Sequence, residues 1–549
     1  MKKIVLYNLL FFFTLAINAQ SVKNVIVMIP DGTSTSVLAA ARWYKAFLNP
    51  NDAYLNIDPY IKGLVITNSS DAPIGDSAPT TSCYMTGYPT QTQFVSTYPV
   101  KTDHDLVQVD ATRAYQPLTT LLEASKQLKD KATGLVFTCE FPHATPADCA
   151  AHTYKRSKYG WIAPQMVHNK VDVVIGGGVS YLNERDKNFL LENGYTVLLN
   201  DYQGMKQCNK APFWALYSDY DMPYDLERDP KTTPSLAEMT RKAIQVLSQN
   251  EQGFFLMVEG SKVDWAAHNN DAKAILTEFI AFDDACGEAL QFAQKDGQTL
   301  VIILPDHGNS AMTIGGSLSK YGGYDKVSLE QIMKPIVDHK LSTSTMAGKV
   351  KDADEKQVRA LFKEYYNIDL QDAEMAYLNS ASNYNKSTIP YEERKNNLGL
   401  DKMISLVLNN RTYFGFTTYG HTGENVFLGC YNPAGNELTG VHTNVEVNHY
   451  LRQQLGLAED DLERLTEENF ADHHVVFADY NCQIDSLSPN DYRLTVKNKK
   501  TTLTVDSYTN YVTVNKKKFD LGSVVVYMPA NKTFYLPRNL DMYLNLKQK

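Results

Sequence analysis

The sequence predicts an α/β fold with a doubly wound, mostly parallel central sheet flanked by helices. Short apolar runs rich in Val and Ile recur along the chain, and each is followed by a helix-like stretch, as is typical of parallel α/β architecture. These runs are almost continuously apolar, as expected for strands covered on both faces. With 549 residues, 43% of them hydrophobic, the chain is long enough to bury a large core around such a sheet.

The predicted strands, in chain order, are residues 24–29, 134–138, 171–175, 253–258 and 299–304. Helical patterns lie between them. One covers residues 236–248, with Pro234 just before it, where a first helical turn tolerates proline; another lies within residues 271–296. This alternation is the basis of the doubly wound prediction.

The sequence pattern divides the chain into three parts. Residues 1–19 are predicted to be a signal peptide, because two lysines precede an apolar run that ends before Ala19. Residues 20–475 form the predicted catalytic domain, in which 312–411 resemble an insertion at the edge of the sheet, since apolar runs give way there to polar helical stretches. Residues 476–549 alternate Thr, Val and Tyr with charged residues, which predicts a small β-rich C-terminal appendage.

The predicted signal peptide and the net charge indicate the localisation of the protein and the kinds of partner it binds. A signal peptide predicts an exported protein, periplasmic or secreted. No later segment approaches the ~20 apolar residues of a membrane span, so we expect no transmembrane anchor. The net charge is −9 and the basic residues are scattered, whereas a nucleic-acid-binding protein would show a basic stripe. We therefore expect no nucleic-acid partner.

Three predicted strands end in residues that commonly bind metals. Asp31 follows the first strand, Glu259 the fourth, and Asp306 with His307 the fifth. Any one of these carboxylates alone would more commonly begin a turn or cap a helix. Because the carboxyl ends of parallel strands form the ligand-binding edge of a sheet, three such ends together predict a metal site there.

Two further segments add ligands of the same kind. Asp264 and His268 are spaced to share one face of a helix, and His421 lies between glycines, where the backbone can approach a ligand closely. Mixed carboxylate and imidazole ligands suit zinc, and all-oxygen ligands suit magnesium. The sequence therefore predicts more than one kind of ion.

Ser77 is the candidate nucleophile, in the segment Asp76-Ser-Ala-Pro. Small residues and Pro79 after it predict the first turn of a helix, and local sequence alone favours a simple helix cap. A helix amino end also stabilises negative charge, and a zinc ion beside the hydroxyl would make the serine a competent nucleophile. The cap and the nucleophile are compatible.

Over roughly residues 22–457 the chain resembles the alkaline phosphatase family, the bacterial periplasmic and animal enzymes together. The matching segments occur in the family's order: Ile29-Pro-Asp-Gly, Asp76-Ser-Ala-Pro, His143-Ala-Thr-Pro-Ala, residues 152–156, 173–178 and 258–268, Asp306-His307 and His421-Thr-Gly-Glu. The resemblance implies hydrolysis of phosphate monoesters with broad specificity and an alkaline optimum. Because the family is usually dimeric, the resemblance also implies a homodimer.

Carried over residue by residue, the resemblance implies that Ser77 forms a phosphoserine intermediate, which water then hydrolyses. It implies two zinc ions and one magnesium. Arg156 would form a bidentate contact with the phosphoryl oxygens, and Asp76 would orient Arg156. One zinc would be bound by Asp264, His268 and His421, the other by Asp31, Asp306 and His307 beside the Ser77 oxygen, and magnesium by Asp31, Thr145 and Glu259.

Three positions depart from parts of the family pattern and are expected to lie next to the ligands. The enterobacterial form has Asp and Lys where this chain has His143 and Trp265, and the animal enzymes have His at both positions. His143 beside Thr145 could contact the water around the magnesium or favour another ion. Asn309 replaces a histidine that often supports the zinc at Asp306 and His307.

Related hydrolases supply the alternatives. Sulfatases carry a C/S-x-P-x-R motif, but this chain has Thr81 at the arginine position and lacks the calcium-type ligand set. Phosphodiesterases of the superfamily usually have a Thr nucleophile and lack the counterpart of Arg156. A non-catalytic, metal-stabilised surface protein is the third alternative, and it would be expected to have lost some of the ligands.

Overall fold

A computed structural model of the chain describes residues 21–316, 324–384, 398–498 and 501–544, with backbone only at 381–384. The predicted signal peptide lies outside the described residues, as do parts of the predicted insertion and the last residues of the appendage.

The described residues form a central sheet of ten strands. All five predicted strands are present, with ends shifted by up to a few residues. In chain order the strands are β1 (Asn24–Pro30), β2 (Ile61–Ile66), β3 (Ala132–Glu140), β4 (Val173–Gly177), β5 (Thr196–Leu199), β6 (Phe213–Tyr217), β7 (Phe254–Gly260), β8 (Thr299–Ile303), β9 (Val426–Tyr431) and β10 (Gly440–Thr443).

The sheet is mostly parallel, as predicted. Its spatial order is β10-β2-β9-β8-β1-β7-β3-β4-β6-β5. Strand β1 lies in the interior with β7 on one side and β8 on the other, both parallel to it. Only β9 runs antiparallel to its neighbours among the described strands. The carboxyl ends of β1, β3, β7 and β8 therefore meet at one edge of the sheet.

Helices cover both faces, which confirms the doubly wound prediction. Alternate residues of β1 pack into different clusters: Ile26 and Met28 into one apolar core, Val25 and Val27 into the other. The two cores explain why the strands are apolar at nearly every position. The predicted helix at 236–248 is α8, and the one within 271–296 is α10.

The α-helices of the described residues are α1 (Ser36–Leu48), α2 (Ser77–Thr86), α3 (Leu121–Lys129), α4 (Ala144–Ala150), α5 (Tyr159–His168), α6 (Glu184–Glu192), α7 (Tyr202–Gln207), α8 (Leu236–Leu247), α9 (Lys262–His268), α10 (Ala272–Asp296), α11 (Leu329–Val337), α12 (Thr343–Val350), α13 (Glu355–Tyr366), α14 (Asp372–Tyr384), α15 (Leu400–Asn409), α16 (Asn444–Gln454), α17 (Asp461–Asn469) and α18 (His473–Val476).

Two regions have apolar clusters of their own. Helices α12 to α15, in the predicted insertion, pack around Phe362 and Ile404. The C-terminal appendage contains an antiparallel five-stranded sheet, with strands Asn481–Ser486, Tyr492–Asn498, Thr501–Asp506, Tyr511–Val514 and Lys517–Asp520. A smaller sheet joins Val526–Met528 and Thr533–Leu536 to Ala471–Asp472, just before the predicted boundary at 476.

Among the described residues, no helix combines the length and apolar character that crossing a membrane requires.

Candidate active site

The carboxyl ends of the central strands bring the predicted ligands together. Asp31 directly follows β1, Glu259 is the second-last residue of β7, and Asp306 and His307 follow β8. All four side chains are fully buried. The parallel pairing of β1 with β7 and β8 places these residues next to one another although they are far apart in sequence.

Ser77 begins α2 and faces this cluster. Asp76 has an extended backbone and is the N-cap residue, so Ser77 is the first helical residue, as the sequence predicts. The hydroxyl lies 3.4 Å from Asp31 Oδ1 and 3.3 Å from His307 Nε2, and Ser77 is 2% exposed. The helix amino end adds partial positive charge at this oxygen.

Asp31, Asp306 and His307 form the first of two ligand groups, with atoms within 4.8 Å of one another. His307 Nε2 lies 3.4 Å from an oxygen of each carboxylate. The second oxygens of Asp31 and Asp306 are buried and have no hydrogen-bond donor among the described residues. Buried, unpaired carboxylate oxygens beside an imidazole are a donor set that fits a zinc ion.

Asp264, His307 and His421 form a second group within the same distance, and His268 adjoins it. Asp264 and His268 lie on α9, and His268 Nε2 is 3.4 Å from Asp264 Oδ2 and 3.1 Å from His421 Nε2. The helical spacing predicted for this pair therefore does bring the two side chains together.

The three histidines are oriented by the backbone in the same way. Nδ1 of His268 lies 2.8 Å from the carbonyl of Tyr419, Nδ1 of His421 lies 2.9 Å from that of Gly75, and Nδ1 of His307 is 3.1 Å from its neighbour's carbonyl. A proton on Nδ1 donated to a carbonyl leaves the Nε2 lone pair free to bind a cation. Each Nε2 faces the carboxylates, so the imidazoles are arranged as ligands.

A third group of buried side chains includes Glu259. Glu259 Oε1, Thr145 Oγ1 and His143 Nδ1 are buried without a hydrogen-bond partner among the described residues. Cys139, at the end of β3, contacts Glu259 Oε2 through its thiol at 3.4 Å. Cys139, His143 and Glu259 offer ligand atoms within 4.8 Å of one another, so the structure adds a thiol that the sequence analysis did not single out.

Arg156 reaches the site from the loop before α5. It forms an ion pair with Asp76, and its Nη2 lies 3.2 Å from His143 Nε2. Burial alone would raise the pKa of Asp76, but Arg156 and then His307 and His421 lower it below its usual value. Asp76 and Arg156, the predicted orienting residue and its arginine, are thus in direct contact.

The two remaining predicted residues contact the ligands. The imidazole of His143 packs edge-on against Trp265, with ring centroids 5.8 Å apart. Asn309 donates from Nδ2 to Asp264 Oδ1 at 2.7 Å. Asn309 therefore supports the carboxylate of the second group directly, which differs from the expected role beside Asp306 and His307.

The electrostatics of the site favour cations. Burial, followed by the carboxylates of Asp306, Asp264 and Glu259, raises the pKa of Asp31 well above its usual value. Burial is also the main reason that the pKa of Glu259 rises to about 8. Asp264 is the exception: burial would raise its pKa, but His268, His307 and His421 bring it to about 2. A concentration of buried negative charge of this kind is offset by metal ions.

The fold and the site define a class of protein: an α/β protein with a buried serine at a helix amino end, an arginine ion-paired to the residue before that serine, and buried carboxylates and imidazoles that could hold metal ions. The sequence model of the alkaline phosphatase family matches residues 22–457, the region over which the resemblance is predicted. The chain belongs to the alkaline phosphatase family and is a phosphomonoester hydrolase.

Individual relatives agree with this assignment. The chain is 34% identical over 441 residues to alkaline phosphatase 4 of Bacillus subtilis, covering 77% of this chain and 87% of that protein. It is 33% identical over 445 residues to alkaline phosphatase 3 of the same organism, covering 78% and 88%. The fold is similar to the crystal structure of Thermus thermophilus alkaline phosphatase, with a TM-score of 0.70 at 23% identity over 82% of this chain and 96% of that one.

Proposed function

We propose that this protein hydrolyses phosphate monoesters through a phosphoserine intermediate on Ser77. The observation that carries the proposal is the position of the Ser77 hydroxyl, at a helix amino end and between Asp31 and His307. A serine in the middle of two ligand groups is placed for nucleophilic attack beside bound cations.

The first half of the reaction transfers the phosphoryl group to the protein. Arg156 binds two non-bridging oxygens of the substrate and, because Asp76 holds the guanidinium, presents its N–H groups as a fixed pair. The Ser77 oxygen bonds to phosphorus as the bond to the ester oxygen breaks. The ester oxygen leaves as the alcohol, and the proton lost by Ser77 balances the proton gained by the leaving group.

The second half returns the serine. Water attacks the phosphoserine, the bond between phosphorus and Ser77 breaks, and inorganic phosphate is released. Two successive displacements at phosphorus predict overall retention of configuration. The N–H groups of Arg156 and the amino end of α2 stabilise the charge on the transferring group in both steps.

The three ligand groups fit the metals that the family resemblance implies. We propose zinc at Asp264, His268 and His421, zinc at Asp31, Asp306 and His307 beside Ser77, and magnesium at Asp31, Thr145 and Glu259. When bound, these ions supply the positive charge that stabilises the serine alkoxide and the leaving oxygen.

The thiol of Cys139 favours a second candidate for the third ion. Thiol and imidazole ligands favour zinc, whereas magnesium takes oxygen ligands. Elemental analysis of wild type and Cys139→Ser decides between them. Two zinc ions and one magnesium per wild-type chain would support the magnesium assignment. Three zinc ions that become two in Cys139→Ser would assign the third ion to the thiol.

The proposal extends to specificity, pH and location. The substrate contacts that we propose are all with the phosphoryl group, so we also propose broad specificity for the alcohol. We propose an alkaline optimum, because deprotonation of Ser77 increases with pH. Export to the periplasm or the medium and a homodimer stay predictions from the leader and the family resemblance.

The test is release of phosphate from a generic aryl phosphate by purified, metal-loaded protein. We expect a chelator to abolish the activity, re-addition of zinc and magnesium to restore it, and Ser77→Ala to lower kcat by at least about a thousandfold. Ser70→Ala is the matched control, because Ser70 Oγ is buried and has no hydrogen-bond partner among the described residues.

The same assay separates the alternatives. An aryl sulfate and a phosphodiester are expected to be hydrolysed much more slowly than the monoester. A monoester dianion has three unesterified oxygens, two for the guanidinium and one to face the ligand groups, whereas a diester has only two, and the diester and the sulfate each carry one negative charge instead of two. Faster release of sulfate, or activity that survives in Ser77→Ala, would overturn the proposal. The absence of activity in metal-loaded wild type would favour the non-catalytic alternative.

A further inference from the structure

The C-terminal appendage packs against the part of the catalytic domain that carries Arg156. Arg156 lies in the loop between Thr153 and α5, and Trp161 in the first turn of α5 is 5% exposed within the apolar cluster of the appendage. The ring of Trp161 stacks on that of Tyr508, with centroids 6.4 Å apart and planes at 25°. Tyr508 lies beyond residue 457, outside the region that the family model matches.

A chain of aromatic rings leads from this contact to the arginine loop. Trp161 packs on Tyr154, with ring centroids 5.8 Å apart, and Tyr154 precedes Arg156 by two residues. Tyr154 also packs on Tyr115 at 5.5 Å and Phe94 at 6.3 Å. Large rings with few rotatable bonds are closely packed here, so a displacement of one ring displaces the next. The position of the Tyr508 ring therefore affects the position of the backbone next to Arg156.

The arginine loop is also held by backbone hydrogen bonds. Val95 and Thr153 exchange both bonds, at 2.8 and 3.0 Å, and the Arg156 N–H donates to the Gln93 carbonyl at 2.8 Å. The loop is therefore held by two kinds of contact, backbone hydrogen bonds and aromatic packing, and the appendage contributes to the aromatic packing.

The far end of α5 is held by the same appendage. His168 Nδ1 lies 2.9 Å from Asn510 Oδ1, and Lys170 just beyond α5 forms an ion pair with Asp520. The appendage therefore contacts both ends of α5, the helix that directly follows the arginine loop.

The need for such support follows from the chemistry of the guanidinium. A bidentate contact with two phosphoryl oxygens is weakened when the donor is misplaced by about half an ångström or more. Arg156 has a long side chain, with Asp76 and His143 as its polar partners in the site. The position of the Arg156 backbone therefore helps to determine where its guanidinium lies.

We propose that the C-terminal appendage is a positioning element for Arg156, acting through Tyr508, Trp161 and Tyr154. The inference rests on the proposed function in one respect, that Arg156 is the group that binds phosphate. A purely structural appendage would affect stability alone, whereas a positioning element affects phosphate affinity only when Arg156 is present.

The experiment is a double-mutant cycle read by the inhibition constant of inorganic phosphate and by KM and kcat for an aryl phosphate. Tyr508→Ala is measured in the otherwise wild-type protein and in the Arg156→Ala background. We expect Tyr508→Ala to raise the phosphate inhibition constant about tenfold in the first and to have no further effect in the second. Metal content by elemental analysis is expected to stay at the wild-type value.

Two appendage variants serve as controls. Val512→Ala removes a buried side chain from the same cluster, outside the chain of rings described above, and is expected to lower stability while leaving phosphate inhibition unchanged. Tyr508→Phe keeps the stacked ring and loses only the hydrogen bond to the Tyr527 carbonyl, so it is expected to retain the wild-type inhibition constant.

If Tyr508→Ala is insoluble, Trp161→Leu takes its place. It removes the middle ring and no hydrogen bond, because Trp161 Nε1 has no partner among the described residues. An equal effect in both backgrounds, or no effect in either, overturns the inference. If Arg156→Ala itself leaves phosphate inhibition unchanged, the failure belongs to the role assigned to Arg156 in the proposed function.

Discussion

At the scale of single residues, Gly32 shows how closely the site is packed. Gly32 follows Asp31 and has a φ of +57°, and its N–H donates to Asp306 Oδ1 at 3.0 Å. A Cβ at this position would lie 2.2 Å from Asp264 Oδ1. The glycine after Asp31 thus lets the carboxylates of two ligand groups approach the same turn of backbone.

We expect Gly32→Ala to displace Asp264 and with it the zinc ion that we propose at Asp264, His268 and His421. The variant is predicted to lose at least one zinc ion per chain by elemental analysis and to lower kcat/KM by about a hundredfold or more.

Gly297→Ala is the matched control for this variant. Gly297 also has a positive φ, +68°, but a Cβ there would meet no described atom within 4 Å. Both variants incur the left-handed backbone strain of about 1 kcal/mol, so a difference between them reports the clash with Asp264. Full zinc content in Gly32→Ala would show that Asp264 can move without releasing the ion.

At the scale of elements, α5 joins the arginine loop to the appendage and ends at a buried histidine. Burial, with smaller contributions from Arg185, Lys170 and Lys518, lowers the pKa of His168 to about 4, although the hydrogen bond to Asn510 opposes the shift. A histidine whose folded-state pKa lies below its unfolded value contributes stability that is complete above about pH 6.5 and is lost as the pH falls toward 4.

His168→Asn is therefore predicted to make the free energy of unfolding depend less on pH in the acidic range. Between pH 7.5 and 4 the free energy of unfolding of the wild type should fall by up to about 3 kcal/mol more than that of the variant. Asn can donate to Asn510 from Nδ2 but cannot take up the proton. Denaturant unfolding in EDTA, which removes the metal contribution from both proteins, measures the difference.

The exposed residue His104 provides the control, since His104→Asn should leave the profile unchanged. At neutral pH the variant at position 168 is expected to be less stable than wild type, because the imidazole packs on Phe189 with ring centroids 3.9 Å apart. This difference should shrink as the pH falls. Parallel profiles for wild type and His168→Asn would contradict the prediction.

The elements that carry the site were predictable because their sequence signals are local. Strands β1, β7 and β8 are apolar at most positions, and each has a carboxylate at its end or within three residues after it. The start of α2 at Ser77 follows from small residues and Pro79. The doubly wound fold and the grouping of the ligands at one sheet edge follow from these signals and the rule for parallel strands.

Cys139 and the docking of the appendage could not be predicted in this way. The pairing of β3 with β4 shifts register between Val136 and Glu140, so the direction of the Cys139 side chain does not follow from simple alternation. The sequence is equally consistent with tyrosines of the appendage on the solvent-exposed face of a small sheet and with tyrosines that face the catalytic domain. Only the tertiary contact of Tyr508 with Trp161 shows which of them face the catalytic domain.

At the scale of the whole molecule, the ligand groups place several buried carboxylates at the centre of the main sheet. Asp31, Glu259 and Asp306 are fully buried and have raised pKa values, chiefly through burial. Without cations, folding must bring these groups together against desolvation and mutual repulsion. Bound metals reverse the sign of this contribution, because ligands that bind only the folded state stabilise it by mass action.

The metal-free protein is therefore expected to unfold at a lower temperature than the metal-loaded protein. Asp306→Asn is expected to reduce this difference by raising the melting temperature of the metal-free protein. The amide keeps an oxygen to accept from the Gly32 and His307 N–H groups, each at 3.0 Å, while it removes one buried charge. In EDTA, Asp306→Asn should melt at least about 2 °C above wild type, whereas zinc and magnesium should raise its melting temperature less than they raise that of wild type.

Differential scanning calorimetry of both proteins, with and without metals, gives the four melting temperatures. An Asp306→Asn protein that melts below wild type in EDTA would show that the carboxylate stabilises the fold even without its ion, and the repulsion argument would then be wrong.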